Sequence, residues 1–532
     1  MTYLEPTHPI SAPRAVFIAF VLTTISFLHA DRGFDPADEG FLWYGAIHAQ
    51  AGQVPIRDFL AYAPGRYYWC AALFSLFGNG LMALRLSATL FQFLGFSAAL
   101  LALRRVLKSP WALSGAGVLV LFWMIVPYRY FDSSVQLFAV LVATRLLEKP
   151  SKKRYFEAGL LTGLAAFFGL NHGLYLFTLF SGLIIFQYWK GCLEALLKNG
   201  LAYLFGFFCG SLPIMGMCIF LPGFFESYIR LVPRLAMLLA LGQANIALPI
   251  PWPWTVSWGH LGQVFQNQQV LIREFAGQSA LGLCFIFLII FYFFSVPSVF
   301  FIQKKDISHK ALWIASAFVG VCYLHHIFSH AEGIHFGEGF FPVIAGLLSI
   351  RVTYPYFHKK LAYFLIVLIS ILSFFSAGIR NNLFLKHFPP QTKNSLVQYV
   401  IGNDHIWMLK SAADRIDGLK KVVAQYVPAH EPMLLAPLMT TFYPILGKNS
   451  PVYDLFFVAP QSEETQLEMI HDLEKKKVRW AVVGNPVVRS SLGLRLSTTQ
   501  PILWKYLMTN FEAVTDRGLQ PGYFLMRKRS FT

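Results

Sequence analysis

The chain has 532 residues, a formal net charge of +17, 56% hydrophobic residues and only 13% charged ones. With a mean hydropathy of +0.52 and a charged fraction well below the roughly 25% usual in soluble domains, a soluble fold is excluded and a polytopic membrane protein is indicated. The Lys and Arg residues sit in short clusters between apolar runs, as the positive-inside rule requires, so no nucleic-acid partner is expected.

Taken in chain order, the first apolar run, Ala15 to Ala30, follows Arg14 and ends without a small-x-small cleavage site, so it reads as a retained helix. An acidic segment comes next, Phe34-Asp35-Pro36-Ala37-Asp38-Glu39-Gly40. Carboxylates beside a bilayer are costly to hold and tend to do chemistry or guide ions. Runs long enough to cross about 30 Å of hydrocarbon fall near 14–30, 81–103, 110–127, 131–147, 155–171, 173–189, 197–220, 278–302, 311–328, 337–352 and 361–379. That makes about eleven spans.

The apolar piece Tyr67 to Phe77 is read as interfacial, because only then do the basic clusters near Arg104, Lys149, Lys190, Lys304 and Arg351 share one face. Asp38 to Gln53 and Tyr67 to Phe77 are therefore expected as amphipathic helices on the outer surface. Cys70, Cys192, Cys209, Cys218, Cys284 and Cys322 lie in or beside apolar segments without metal-ligand spacing and read as core residues. With the basic clusters cytoplasmic, the Asp38-Glu39 loop, Tyr128 to Ser134, Leu221 to Gly277 and His330 to His335 are expected on the outer side.

Residues 381–532 have ordinary charge density and no spanning run, so they are expected as a soluble α/β domain on the outer face, after a transmembrane module over 1–380. Pro432 to Ala436 and Val478 to Val483 read as strands and Glu463 to Lys477 as an amphipathic helix. No GxGxxG or P-loop supports nucleotide binding.

The acidic segment is followed by Gly52-Gln53-Val54-Pro55-Ile56-Arg57-Asp58-Phe59 and then Pro64-Gly65-Arg66-Tyr67-Tyr68. Together they resemble the first outer loop of the GT-C glycosyltransferases, which include protein mannosyltransferases and bacterial aminoarabinose transferases. Thr440 to Lys448 also resembles a segment of the outer tails of bacterial GT-C relatives. The resemblance implies a metal-independent, inverting transferase in a bacterial inner membrane, its tail periplasmic. It would pass a sugar from a polyprenyl-phosphate donor to a hydroxyl of a glycolipid, envelope polysaccharide or protein.

Such a transfer needs a base for the acceptor hydroxyl and cationic or hydrogen-bonding groups for the leaving phosphate. By position in the motif Asp38 matches the superfamily's acidic residue, with Glu39 beside it as orienter or acceptor contact; the structural alternative is that Asp38 N-caps a helix starting near Glu39. Arg57-Asp58 reads either as a local ion pair around Pro55 or as a substrate contact, and Arg66 as a phosphate or headgroup contact. Asn171-His172 breaks a long apolar run where relatives often place Arg-His; His172 reads as a phosphate donor or as a satisfied polar kink.

Ser329 to His335 resembles an R-x-D-x-x-H pattern in which His330 and Glu332 replace the usual Arg and Asp and His335 is retained. Donor contact by His335, a polar helix end and a metal site are the three readings. Arg129 and Asp132 read as an ion pair supporting the site. Arg230, Arg234 and Arg273 are cations for a lipid phosphate, and Pro249 to Trp254 reads as an interfacial anchor. Two other classes compete with the transferase: a lipid or polyprenyl transporter, which would place ionisable groups near the midplane of its spans, and a non-catalytic GT-C scaffold.

Overall fold

The computed structural model describes residues 10–124, 126–188, 193–237, 249–255, 276–379, 396–487, 492–515 and 517–529. Arg273 and much of the long outer loop lie outside the described residues, as does the side chain of Arg234. Two compact units emerge: one of Met1–His29, Ala88–Gly216 and Leu248–Pro390, the other of Ala30–Ser87, Met217–Ala247 and Gln391–Thr532.

All eleven apolar runs are helical. In chain order the helices are α1 (Ala12–Phe27), α2 (Asp38–Gln50), α3 (Pro64–Phe77), α4 (Leu81–Leu103), α5 (Pro110–Leu121), α6 (Tyr130–Glu148), α7 (Lys152–Phe168), α8 (Leu170–Tyr188), α9 (Leu193–Phe220), α10 (Phe224–Met237), α11 (Gly277–Phe300), α12 (Ala311–Ser329), α13 (Gly333–Thr353) and α14 (Lys359–Ser373). Among the described residues eight are long and apolar enough to cross a membrane, α14 by running on through a π-helical segment to Ala377. The expected count of about eleven is not reached because α1, α5 and α7 have 16, 12 and 17 residues. At a rise of about 1.5 Å per residue these fall short of the hydrocarbon thickness. Phe205, Phe293 and Phe294 stand exposed on helix surfaces, as a lipid-facing surface allows.

In the first unit α7 and α9 approach at backbone distance. A Cβ at Gly159 or Gly163 would run into the backbone of Tyr203, Phe207 or Ser211, and one at Gly206 or Gly210 into that of Phe156 or Leu160. Small residues four apart on both helices permit that contact, which replaces the hydrophobic drive that lipid removes.

In the second unit the tail builds two sheets. A hairpin pairs β1 (Leu396–Ile401) with β2 (Asp404–Leu409) and leads into helix α15 (Lys410–Tyr426). Four strands, β3 (Met433–Ala436), β4 (Trp480–Gly484), β5 (Phe511–Thr515) and β6 (Tyr523–Lys528), lie in the order β3-β4-β6-β5, with β3 and β4 parallel. Between β3 and β4 come the short helix α16 (Phe442–Leu446) and α17 (Glu463–Lys475). Ser462 caps α17 by accepting from Thr465 N at 3.2 Å. The core gathers Leu434, Ala436, Ala481, Val483, Leu473, Leu507 and Met526. Helix α2 packs into this unit on nearly every face: Phe41, Leu42, Trp43, Tyr44 and Ala46 are all buried, more than a single apolar stripe predicts.

Candidate active site

The acidic loop belongs to the second unit. Asp35 Oδ1 accepts from the backbone N–H groups of Ala37 (2.8 Å), Asp38 (2.6 Å) and Glu39 (3.3 Å). These are the orphan donors that open α2, and a carboxylate is favoured there by both hydrogen bonding and the helix dipole. The expected alternative, Asp38 as the cap, is thus corrected: Asp38 is the first helical residue, and the capping carboxylate lies three residues earlier. Burial, and then the nearby negative charge of Asp38, push the Asp35 carboxyl up to about 6. Thr441 fastens the loop, donating through Oγ1 to the Asp35 carbonyl (2.6 Å) and through N to that of Pro36 (3.1 Å). A side chain at Gly40 would collide with the Thr441 backbone, so this joint tolerates only glycine.

Glu39 forms a bidentate pair with Arg85 of α4, both bonds 2.7 Å. Their side chains are only 3% and 4% exposed. Arg85 also donates to the carbonyls of Ala30 (2.6 Å) and Gly33 (2.9 Å). Both oxygens of Glu39 are therefore occupied inside the protein, which makes it a strut for the loop. Asp38 is partly exposed.

Arg57 and Asp58 form the local pair that the sequence offers as one reading, with bonds of 2.8 and 2.9 Å. Asp58 also accepts from Val54 N at 2.7 Å, closing the turn around Pro55. Its carboxyl is held below the usual range by the Arg57 guanidinium. Arg66 is buried in the first turn of α3, its guanidinium 5.7 Å from the Tyr62 ring centre.

The remaining candidates belong to the first unit, where they form a network of imidazoles and acids. His172 is fully buried; its Nε2 lies 2.9 Å from Asp132 Oδ1 and its Nδ1 3.1 Å from the Tyr323 hydroxyl. That is the satisfied polar kink: α7 ends and α8 begins around Gly169, and the freed ring is held from two other helices. Asn171 Nδ2 lies 3.5 Å from His326 Nδ1. His326 Nε2 bonds Glu338, whose other oxygen makes no hydrogen bond and lies 3.9 Å from Arg129 Nε. Arg129 thus faces Glu338 and Asp132 faces His172, a pattern beyond the simple Arg129–Asp132 pair.

His335 Nδ1 lies 2.9 Å from Glu332 across one helical turn, and its ring stacks on His330 with centres 4.8 Å apart. His330, Glu332 and His335 are therefore brought together, with His326 5.6 Å from His335. Sequence reading missed Asp35 as a distinct group, Arg85, His326 and Glu338. A lone acid inside an apolar run is the signal that could have found Glu338. Among the described residues no three His, Cys, Asp or Glu side chains are disposed to hold a metal ion.

The fold and these groups define a polytopic helical membrane protein with an acidic loop folded onto an α/β tail. No family model matches the chain, and no curated protein matches it. Solved structures similar to it include ArnT from Cupriavidus metallidurans bound to undecaprenyl phosphate, at 13% identity over 97% of both chains and a TM-score of 0.44. The apo state of that protein gives 13%, coverage of 96% and 97%, and 0.43. The archaeal oligosaccharyltransferase AglB from Archaeoglobus fulgidus, in complex with an inhibitory peptide and a dolichol-phosphate, gives 10%, 96% of this chain, 74% of that chain and 0.46. At these identities and TM-scores neither an activity nor a residue role is carried across to this chain.

Proposed function

We propose that this chain is an inverting glycosyltransferase that moves a sugar from a polyprenyl-phosphate donor to an acceptor hydroxyl on the outer face of a bacterial inner membrane. In this reading Asp38 takes the proton of the acceptor hydroxyl as its oxygen bonds to the anomeric carbon. The bond from that carbon to the phosphate oxygen breaks, and the polyprenyl phosphate leaves with both electrons. Configuration inverts in the single displacement, and no metal is required.

The supporting observation is position: Asp38 opens α2 at a partly exposed point of a loop that Asp35 and Glu39 brace from either side. In the first unit, Glu332 fixes His335, on which His330 stacks, and a network of imidazoles and acids adjoins them. The ionisable groups of that network, Asp132, His172, His326 and Glu338, all lie within two turns of a helix end. A transporter would instead be expected to hold such groups near the middle of its spans.

Asp38→Asn tests this, since it keeps size and hydrogen bonding but removes the base. Transfer of labelled sugar from a polyprenyl-phosphate donor should fall at least about a hundredfold, with expression and thermal midpoint unchanged. Transfer at the wild-type rate would overturn the assignment.

A further inference from the structure

The second unit holds a cavity of about 550 Å³ that none of the loop acids lines. Its wall includes Trp43, Ile47 and His48 of α2, the Phe77-to-Gly80 turn, the Ile401-to-Asp404 turn, Lys420 of α15, and Tyr443 to Ile445 with Gly447 to Asn449. The volume lies within the roughly 300–1,000 Å³ of small-molecule sites.

Three rim segments are each turned by a glycine in the left-handed region: Gly78 at φ 81°, Gly402 at φ 61° and Gly447 at φ 61°. Each delivers an exposed asparagine to the cavity within two residues: Asn79, Asn403 and Asn449. One asparagine beside a glycine is ordinary turn chemistry. Three from separate turns converging on one cavity is a recognition surface, because each amide both donates and accepts and so matches hydroxyl groups, which do the same.

The backbones beneath these amides are pinned. Trp43 Nε1 donates to the Asn79 carbonyl at 2.7 Å, and Asp404 Oδ2 accepts from Met82 N at 3.0 Å. Lys448 Nζ donates to the carbonyls of Pro428 (3.1 Å), Ala429 (2.6 Å) and Glu431 (2.9 Å). A rim fixed in advance loses little entropy on binding. Phe77, 50% exposed, offers an apolar face for the C–H side of a sugar ring. Lys448 is engaged by those carbonyls and Lys420 by the hydroxyl and ring of Tyr399, so the wall presents no cation cluster to an acidic ligand.

We propose that this cavity binds a neutral oligosaccharide. Its identification as part of the acceptor glycan rests on the transferase reading; the binding itself does not.

The test uses the full chain in nanodiscs, with mannotriose, maltotriose and chitotriose as probes and a hyaluronan tetrasaccharide as acidic control, read by saturation-transfer NMR without donor. At least one neutral trisaccharide should bind with a dissociation constant of about 1 mM. The Asn79→Ala/Asn403→Ala/Asn449→Ala variant should weaken it about tenfold or more, and Phe77→Ala should weaken it in the same direction at an unchanged thermal midpoint. Absence of binding by all three trisaccharides, unchanged binding by both variants, or tighter binding of the acidic control would overturn the proposal. Because donor is omitted, the cavity can fail while sugar transfer survives, and transfer can fail while the cavity still binds.

Discussion

The two units bury acids in opposite ways. In the second, Glu39 is matched to one dedicated partner, Arg85, whose side chain is almost wholly enclosed. In the first, Asp132 and Glu338 share a network of His172, His326, Tyr323 and Arg129, and one Glu338 oxygen has no hydrogen bond at all. A closed pair concentrates its cost in a single contact, whereas a network spreads it. The first suits a strut that must not move, the second a site that must accept a ligand's polar atoms.

The sharpest way to break this contrast is Arg85→Met. It leaves the Glu39 carboxylate enclosed without its cation, and loss of one member of such a pair costs about 3–5 kcal/mol. The purified protein should show a large drop in thermal midpoint. Adding Glu39→Leu to make the double variant should restore most of the loss, because an apolar pair needs no compensation. Failure of the double variant to recover would mean that Arg85's bonds to the Ala30 and Gly33 carbonyls dominate instead.

Asp35 comes next. Its folded-state carboxyl titrates near 6, above the roughly 4 of an unfolded aspartate. Between these values the folded state holds the proton more tightly, so stability is greatest below the unfolded value and is lost as pH rises toward 6. The whole swing is at most about 3 kcal/mol. Asp35→Asn keeps an oxygen for the helix-opening N–H groups and removes the titration, so its thermal midpoint should vary less than wild type between pH 4 and 7. Parallel pH profiles for the two proteins would show that the Asp35 carboxyl is not perturbed.

How much of this was legible depends on where the partner of each group lies in the chain. Eleven helices could be placed because apolar runs carry their own signal, and the loop acids because charge is rare here. That Glu39 is a strut was not legible, because its partner Arg85 lies 46 residues away, inside the apolar run of α4. His326 and Glu338 have their partners in other helices too, although an acid inside the apolar run of α13 is itself a signal. In the tail, β3, α17 and β4 were readable from alternation and helical period. The hairpin Leu396–Leu409 and strands β5 and β6 were not: they are partly exposed, whereas β3 and β4 are buried throughout, and β5 carries a register shift between Ala513 and Thr515.

The smallest effect is expected where the network spreads its load. Tyr323→Phe removes one hydroxyl from His172 and keeps the ring that stacks on it, with centres 5.7 Å apart. The Asp132 contact at the other ring nitrogen stays, so the cost should be about 1 kcal/mol, a shift of only a few degrees in thermal midpoint. If the network instead acts as one unit, Tyr323→Phe will cost as much as Arg85→Met. The difference between enclosed pair and shared network then disappears, because a hydroxyl at the edge of such a cluster would be holding every imidazole behind it.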